Sequence, residues 1–227
     1  MKKKAGRPKM GKSNLTKQAI VQAAFDIVHE KGIDSLSMRQ LASKLGVDAM
    51  AVYYHLKNKK AVLDELVNKA IDFSDFQPFG ETKRSTENWK IAVKNFARFY
   101  LELFRAHKDL MLYLIINPSS GKESIQTGNE ILFSILQDSK LSSSNIIRIT
   151  DVIVDYLNGY GLAESTGRIP NNDERILQYQ KWLETPESDN YPVTKNIVQS
   201  AEGNIATDFN LGLDYILDGI DEVEITN

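Results

Sequence analysis

Three histidines are all that this chain offers to imidazole-based metal chemistry, and His29, His55 and His107 stand far apart with no ligand-spaced neighbour. There is no cysteine, which removes disulfides, thiolate nucleophiles and cysteine-bound zinc and points to a reducing cytoplasm. No glycine-rich phosphate loop and no nucleophile elbow occurs. Asp151 and Asp155 lie one helical turn apart, but a solvated polar stripe accounts for them. The sequence therefore implies no enzyme, no cofactor and no metal. What it does hold within one short segment is a set of donors among small and apolar side chains: Ser37, Arg39, Ala49, Met50, Ala51, Tyr53, Tyr54, His55 and Lys59. An arginine fork matches a guanine edge, and small or apolar groups can touch thymine methyls. Tyrosine, histidine and lysine suit phosphate oxygens. This is the chemistry of holding a polyanion, with no bond made or broken.

The charge distribution agrees. Residues 1–70 carry fourteen Lys/Arg against six Asp/Glu, whereas residues 71–227 carry fourteen against twenty-four. A basic head on an acidic body suggests that only the head meets a polyanion, and charge alone fits a nucleic acid or an anionic membrane surface. No apolar run approaches the roughly 20 residues that span a bilayer, and no apolar core follows the basic N-terminus, so neither membrane insertion nor export is expected.

Elements that would position these residues can be read from caps and periodicity. Residues 1–13 hold six Lys/Arg and no periodicity and are expected to be a disordered basic tail. Within it Gly6-Arg7-Pro8-Lys9 resembles half of an AT-hook, although a generic electrostatic tail explains it equally well. A first helix starts after Thr16, with Leu15 and Ile20 as a hydrophobic staple, and stops at Gly32. Ser37 to Gln40 reads as a capping box that opens a short second helix ending at Gly46. Asp48 caps a third helix over 48–56, and Asn58 caps a fourth. Ala42 allows the second and third helices to approach closely. Gly46 takes the positive φ of the turn between them, and Val52 locks the third helix inward. This is helix-turn-helix spacing, with the third helix destined for the major groove.

The run Leu36-Ser37-Met38-Arg39-Gln40-Leu41-Ala42-Ser43-Lys44-Leu45-Gly46-Val47, followed by Val52-Tyr53-Tyr54-His55-Leu56-Lys57-Asn58-Lys59, resembles the DNA-binding segment of the tetracycline repressor family. The resemblance covers about residues 14–70 strongly. It extends more loosely to the body through Asp208-Phe209-Asn210-Leu211-Gly212-Leu213-Asp214-Tyr215-Ile216-Leu217-Asp218-Gly219. It implies an all-α homodimer that represses transcription from a palindromic operator on double-stranded DNA. Its larger domain would bind a small-molecule effector and release the DNA. The family's tetracycline binders place a histidine for a magnesium–drug chelate after the long helix. Residues 110–117 contain none, which argues against tetracycline itself.

The expected organisation is a tail over 1–13, a helix-turn-helix domain over 14–57, a connecting helix over 58–74 and a helical C-terminal domain over 75–227. In the body, helices are expected at 86–106, 109–116, 124–138, 144–166, 173–184, 193–201 and 205–221, with 167–193 loop-rich enough to serve as a lid. Helix 144–166 is apolar nearly all round, and so is 205–221. Each must be covered on two sides, either by a twofold four-helix interface or by a central place for both helices in a monomer, and the interface is the expected use. Ile147, Val154, Leu157, Gly161, Phe209, Leu213, Ile216 and Leu217 are its candidate residues. The aromatics Trp89, Phe96, Tyr100, Phe104, Tyr113, Phe133, Tyr156 and Tyr160, with His107 and Asn117 as polar contacts, are candidate pocket residues. Simple core packing explains them as well. The rival to a DNA-bound regulator is a non-enzymatic helical adaptor that grips a protein through its C-terminal bundle.

Overall fold

Four short polar side chains open the first four helices. Thr16 Oγ1 accepts the Ala19 N–H at 3.1 Å and starts α1 (Lys17–Lys31). Ser37 Oγ accepts the Gln40 N–H at 3.2 Å at the head of α2 (Met38–Leu45). Asp48 Oδ1 takes the Met50 N–H at 2.9 Å before α3 (Ala49–His55), and Asn58 Oδ1 takes the Ala61 N–H at 2.8 Å before α4 (Lys59–Ala70). Each satisfies one of the amides that a helix N-terminus leaves unpaired, for about 1 kcal/mol. Between α2 and α3 the chain reverses at Gly46, whose φ of 66° and ψ of 28° are left-handed. The Val47 N–H then reaches back to the Ala42 carbonyl at 3.1 Å, closing the end of α2.

The computed structural model describes residues 15–78, 85, 88–170 and 172–225, so the basic tail over 1–13 lies outside the described residues. The further helices are α5 (Trp89–Ala106), α6 (Lys108–Ile116), α7 (Lys122–Leu136), α8 (Ser143–Ser165), α9 (Asn172–Leu183), α10 (Pro192–Ser200) and α11 (Phe209–Ile225). Among the described residues there is no strand. The fold is all-α, as the periodicity implies.

The chain divides into two compact units. The first holds residues up to Ser74 together with Asp109–Thr127. Its core is Ile20, Ala24 and Ile27 of α1, Leu41 and Ala42 of α2, Val52 of α3, and Val62, Leu66 and Val67 of α4, all essentially solvent-free. Fully burying one of the larger aliphatic side chains among them is worth about 1.5–3 kcal/mol. The segment Asp109–Thr127, which the sequence reading leaves within the C-terminal domain, is tied to this unit by specific bonds. Asp109 Oδ2 accepts the Ile33 N–H at 3.4 Å. Ser124 Oγ donates to Asn68 at 3.3 Å, and the Ser124 N–H is accepted by Asn68 Oδ1 at 3.3 Å.

The second unit holds Asp75–Lys108 and everything from Gly128 onward. Here α5 and α8 run side by side in the same direction. Tyr100 donates to Asn158 Oδ1 at 2.7 Å, the Phe104 ring fills the space beside Gly161, and Arg105 grips Glu164 with two bonds of 2.7 and 2.9 Å. Helix α11 packs antiparallel across them. Tyr156 donates to the Phe209 carbonyl at 2.8 Å, while Lys94 pairs with Asp214 and Lys90 with Asp218.

Several boundaries differ from the sequence reading. The connecting helix 58–74 ends at Ala70, because the Ser74 N–H goes to Asp72 Oδ1 at 2.9 Å in a local turn that competes with the helix. The helix expected over 205–221 starts only at Phe209 and continues to Ile225. Residues before it are held by α9: the Ile205 N–H is accepted by Asn172 Oδ1 at 2.8 Å, and Arg175 donates to the Ile205 carbonyl. Asp208 Oδ1 then accepts the Leu211 N–H at 3.0 Å and starts α11. The loop-rich stretch 167–193 is largely helical, with a 3-10 turn at Pro186–Asn190 after α9.

Candidate nucleic-acid interface and effector site

The core contact of α3 is Val52, which has no solvent exposure. One buried residue in a seven-residue helix forces the rest outward. Met50 is 73% exposed, Tyr54 88% and Tyr53 40%, while Ala49, Ala51 and His55 are half-buried. The Tyr54 and His55 rings meet edge to face at 5.5 Å. Ser37 and Arg39 are exposed at the start of α2. These residues, all expected from the sequence, come together on α2 and α3. Lys59 is different. It is half-buried and donates to the Ile33 carbonyl at 3.4 Å, so part of its hydrogen-bonding capacity is already engaged within the head. Lys57 is exposed just beyond α3 and was not singled out by the motif. Lys44, also on α2, is balanced by Asp26 at 3.7 Å and Glu30 at 3.5 Å.

The candidate pocket residues separate between the two units. Tyr113 and Asn117 lie in the first, where Asn117 donates its side-chain amide to the Tyr113 carbonyl at 2.9 Å. The other eight lie in the second. Trp89, Phe96, Tyr100 and Phe104 are buried on one face of α5. Phe96 stacks with Tyr100 at 6.1 Å and meets Phe76 edge to face at 5.7 Å. Tyr156 and Tyr160 on α8 are half-buried and close around Phe209, at 5.7 and 4.8 Å. Phe133 on α7 and His107 at the end of α5 are half-buried. Three partners were missed by sequence reasoning: Phe76, which meets Phe96, Phe209, read as an interface residue, and Asn158, which receives the Tyr100 hydroxyl. Helical periodicity puts Asn158 on a surface face, so no local signal marks it. Burial pushes the phenols of Tyr100 and Tyr156 up, that of Tyr156 to about 12, and Tyr160 moves the same way for the same reason.

The candidate interface residues also divide. Leu157, Gly161, Phe209, Leu213 and Leu217 are buried in the second unit's own core. Ile147 is exposed, and Val154 and Ile216 are half-buried. Among the described residues, the large apolar groups exposed on these two helices are Ile147 and Val152 on α8, and Leu211 and Tyr215 on α11, with Tyr215 71% exposed. Gly159 and Gly219 have open space where a side chain would sit.

Among the described residues, no group of three or more His, Cys, Asp or Glu side chains could hold a metal ion, and no helix is long and apolar enough to cross a membrane. The first unit's α2–α3 pair coincides with a recognised pattern. Residues 20–66 match the model of bacterial regulatory proteins of the tetR family, and residues 82–224 match that of the tetracyclin repressor-like C-terminal domain. The chain belongs to the tetR family.

It is therefore a helix-turn-helix transcription regulator. A curated tetR-family relative, the HTH-type transcriptional repressor DrrR1 of Streptomyces coeruleorubidus, is 25% identical over 95% of this chain and 81% of its own length. The tetracycline repressor protein class D of Escherichia coli is 30% identical, over 43% of each chain. Among solved structures, ActR of Streptomyces coelicolor in complex with actinorhodin superposes with a TM-score of 0.72 at 23% identity, covering 90% of this chain and 96% of that one. TetR from Acinetobacter baumannii AYE gives 0.60 at 19% identity, covering 92% and 98%. At these identities the superpositions establish a shared fold.

Proposed function

We propose that this chain is a cytoplasmic homodimeric repressor whose α2–α3 face seats on a palindromic operator and leaves it when the second unit binds a small aromatic effector. The observation that carries the DNA reading is the outward face of α3, held on a head whose helices are all capped and whose core is closed. Arg39 is the candidate for a guanine edge, and Ser37, Tyr53, His55, Lys57 and Lys59 for phosphates. One short helix reads too few bases to be selective alone. Two heads related by a twofold axis would read half-sites about one helical turn apart, ~34 Å.

The outward apolar strip of Val152, Leu211 and Tyr215, flanked by Gly159 and Gly219, supports a dimer through α8 and α11. Open glycines let a facing helix approach closely. This replaces the five buried candidates by residues a partner can reach.

For the effector, the aromatic faces of α5 and α8 favour a planar, largely apolar compound. ActR, a structural neighbour, is solved with actinorhodin. Release requires only that the effector prefer a conformation in which the recognition helices no longer match the grooves. A preference of about 1–3 kcal/mol weakens operator affinity roughly 5- to 150-fold. The route we favour to the head is the segment Asp109–Thr127. It follows α5 directly, and it holds α4 through Asn68 and Ser124 and the α1–α2 turn through Asp109.

Selection of bound duplexes from a random pool tests the DNA reading. It predicts an enriched inverted repeat, and a pool that stays random after repeated rounds contradicts it. A thermal-shift screen of aromatic compounds, with operator release assayed for each hit, tests the effector. Hits that stabilise the protein and leave DNA affinity unchanged contradict the coupling.

A further inference from the structure

Helix α3 carries no Arg, Lys, Asn, Gln, Asp or Glu between Ala49 and His55. The one acidic group beside it, Asp48, is occupied with the Met50 N–H. The bidentate side chains that usually tell guanine, adenine and cytosine apart in the major groove are thus absent from the recognition helix itself. What it presents instead is Met50 and Tyr54, one helical turn apart on the same exposed face. Within the seven residues, Met50 is the only side chain longer than alanine that projects outward without a hydroxyl or imidazole.

The edges of the four base pairs in the major groove offer one apolar feature, the C5 methyl of thymine. An unbranched thioether adapts its shape to such a group at little strain. Resting on the reading above that α2 and α3 seat on an operator, we propose that Met50, with Tyr54 beside it, selects thymine by packing on its C5 methyl. Hydrogen-bonded base readout is left to Arg39 on α2. Met50 is then a specificity-determining residue and the ligand feature is a methyl group, so thymine and 5-methylcytosine are alike to it and uracil is not.

The test uses the full chain and the operator selected from random DNA. Each thymine is replaced singly by deoxyuridine, which keeps every hydrogen bond and removes only the methyl. Burying one methyl is worth ~0.8 kcal/mol, about fourfold in affinity. One or two thymines per half-site are expected to show this loss with the wild-type protein and no loss with Met50→Ala. Replacing the critical thymine by 5-methylcytosine, with guanine opposite, is expected to bind better than cytosine at the same place. Because Met50 is so exposed, Met50→Ala keeps the fold, and Met50→Gln serves as a second variant that retains length and loses the apolar tip. If every deoxyuridine operator binds like the parent, the methyl readout is wrong while the DNA-binding reading stands. If the deoxyuridine loss survives unchanged in both Met50 variants, the assignment to Met50 is wrong. If no sequence is ever enriched, the DNA-binding reading fails first, and this inference fails with it.

Discussion

Replacing Gly121 by alanine probes the joint between α4 and the segment Asp109–Thr127. Gly121 has φ of +60°, and a methyl built there would lie 2.4 Å from Val67 Cγ1 and 3.4 Å from Leu114 Cδ1. The left-handed backbone costs a non-glycine residue about 1–2 kcal/mol. Val67 has no solvent exposure and a β-branched side chain with one favoured rotamer, so it cannot swing away. Forcing a methyl into that contact adds about 1–3 kcal/mol. Gly121→Ala should therefore destabilise the first unit by roughly 2–5 kcal/mol. Val67→Ala alone removes two buried methyl groups and costs about 2 kcal/mol, including the cavity. In the double variant the collision is gone and part of the cavity is filled, so the loss should fall short of the sum by about 1–3 kcal/mol. Urea denaturation followed by circular dichroism, at one protein concentration for all four proteins, measures this coupling. Additivity within about 0.5 kcal/mol would show that the turn before α7 is not seated on α4, and would remove the proposed route from the second unit to the head.

Other perturbations separate the remaining assignments. Arg39→Ala should cost about 1–3 kcal/mol of discrimination at one base pair of the selected operator, whereas Lys57→Ala and Lys59→Ala should weaken all DNA alike and lower the salt slope by about one each. Competition binding across salt concentrations distinguishes the two patterns. Tyr215→Glu should give a folded monomer on analytical ultracentrifugation, whereas Leu157→Asp should fail to fold, since it buries a charge inside the second unit. A folded dimer for both would refute the division between core and outer face. The Tyr100 phenol is raised above its ordinary value of 10.0 by burial, so its contribution to stability is fully present below pH 10 and is lost as the solution becomes more alkaline. Tyr100→Phe should accordingly lose less stability than the wild type between pH 9 and pH 11, and parallel losses would show that the phenol does not titrate in this way.

The parts of the fold that were legible are those set by neighbours in sequence. Thr16, Ser37, Asp48 and Asn58 cap amides two or three residues ahead, and Gly46 turns on its own dihedral, so their types at those positions suffice. What was not legible depends on residues distant in sequence. Asn172 holding Ile205, Asn68 holding Ser124 and Asp109 holding Ile33 span 33, 56 and 76 residues, and nothing local in the chain announces them. The same limit explains the interface. Helices α8 and α11 are apolar on two faces, which the sequence displays, but which face turns inward is decided by Phe104 against Gly161 and Tyr156 against Gly212. Leu157 and Leu213 thus went to the core, and Val152 and Tyr215 to the outside.

A footprint of the full chain on its selected operator, resolved to single nucleotides, tests the central claim most directly. Two protected major-groove patches, centred about one helical turn apart on the same face of the duplex and both lost in a dimer-breaking variant, are the predicted result. Protection spread evenly along the DNA, or a single patch that survives loss of the dimer, would contradict it.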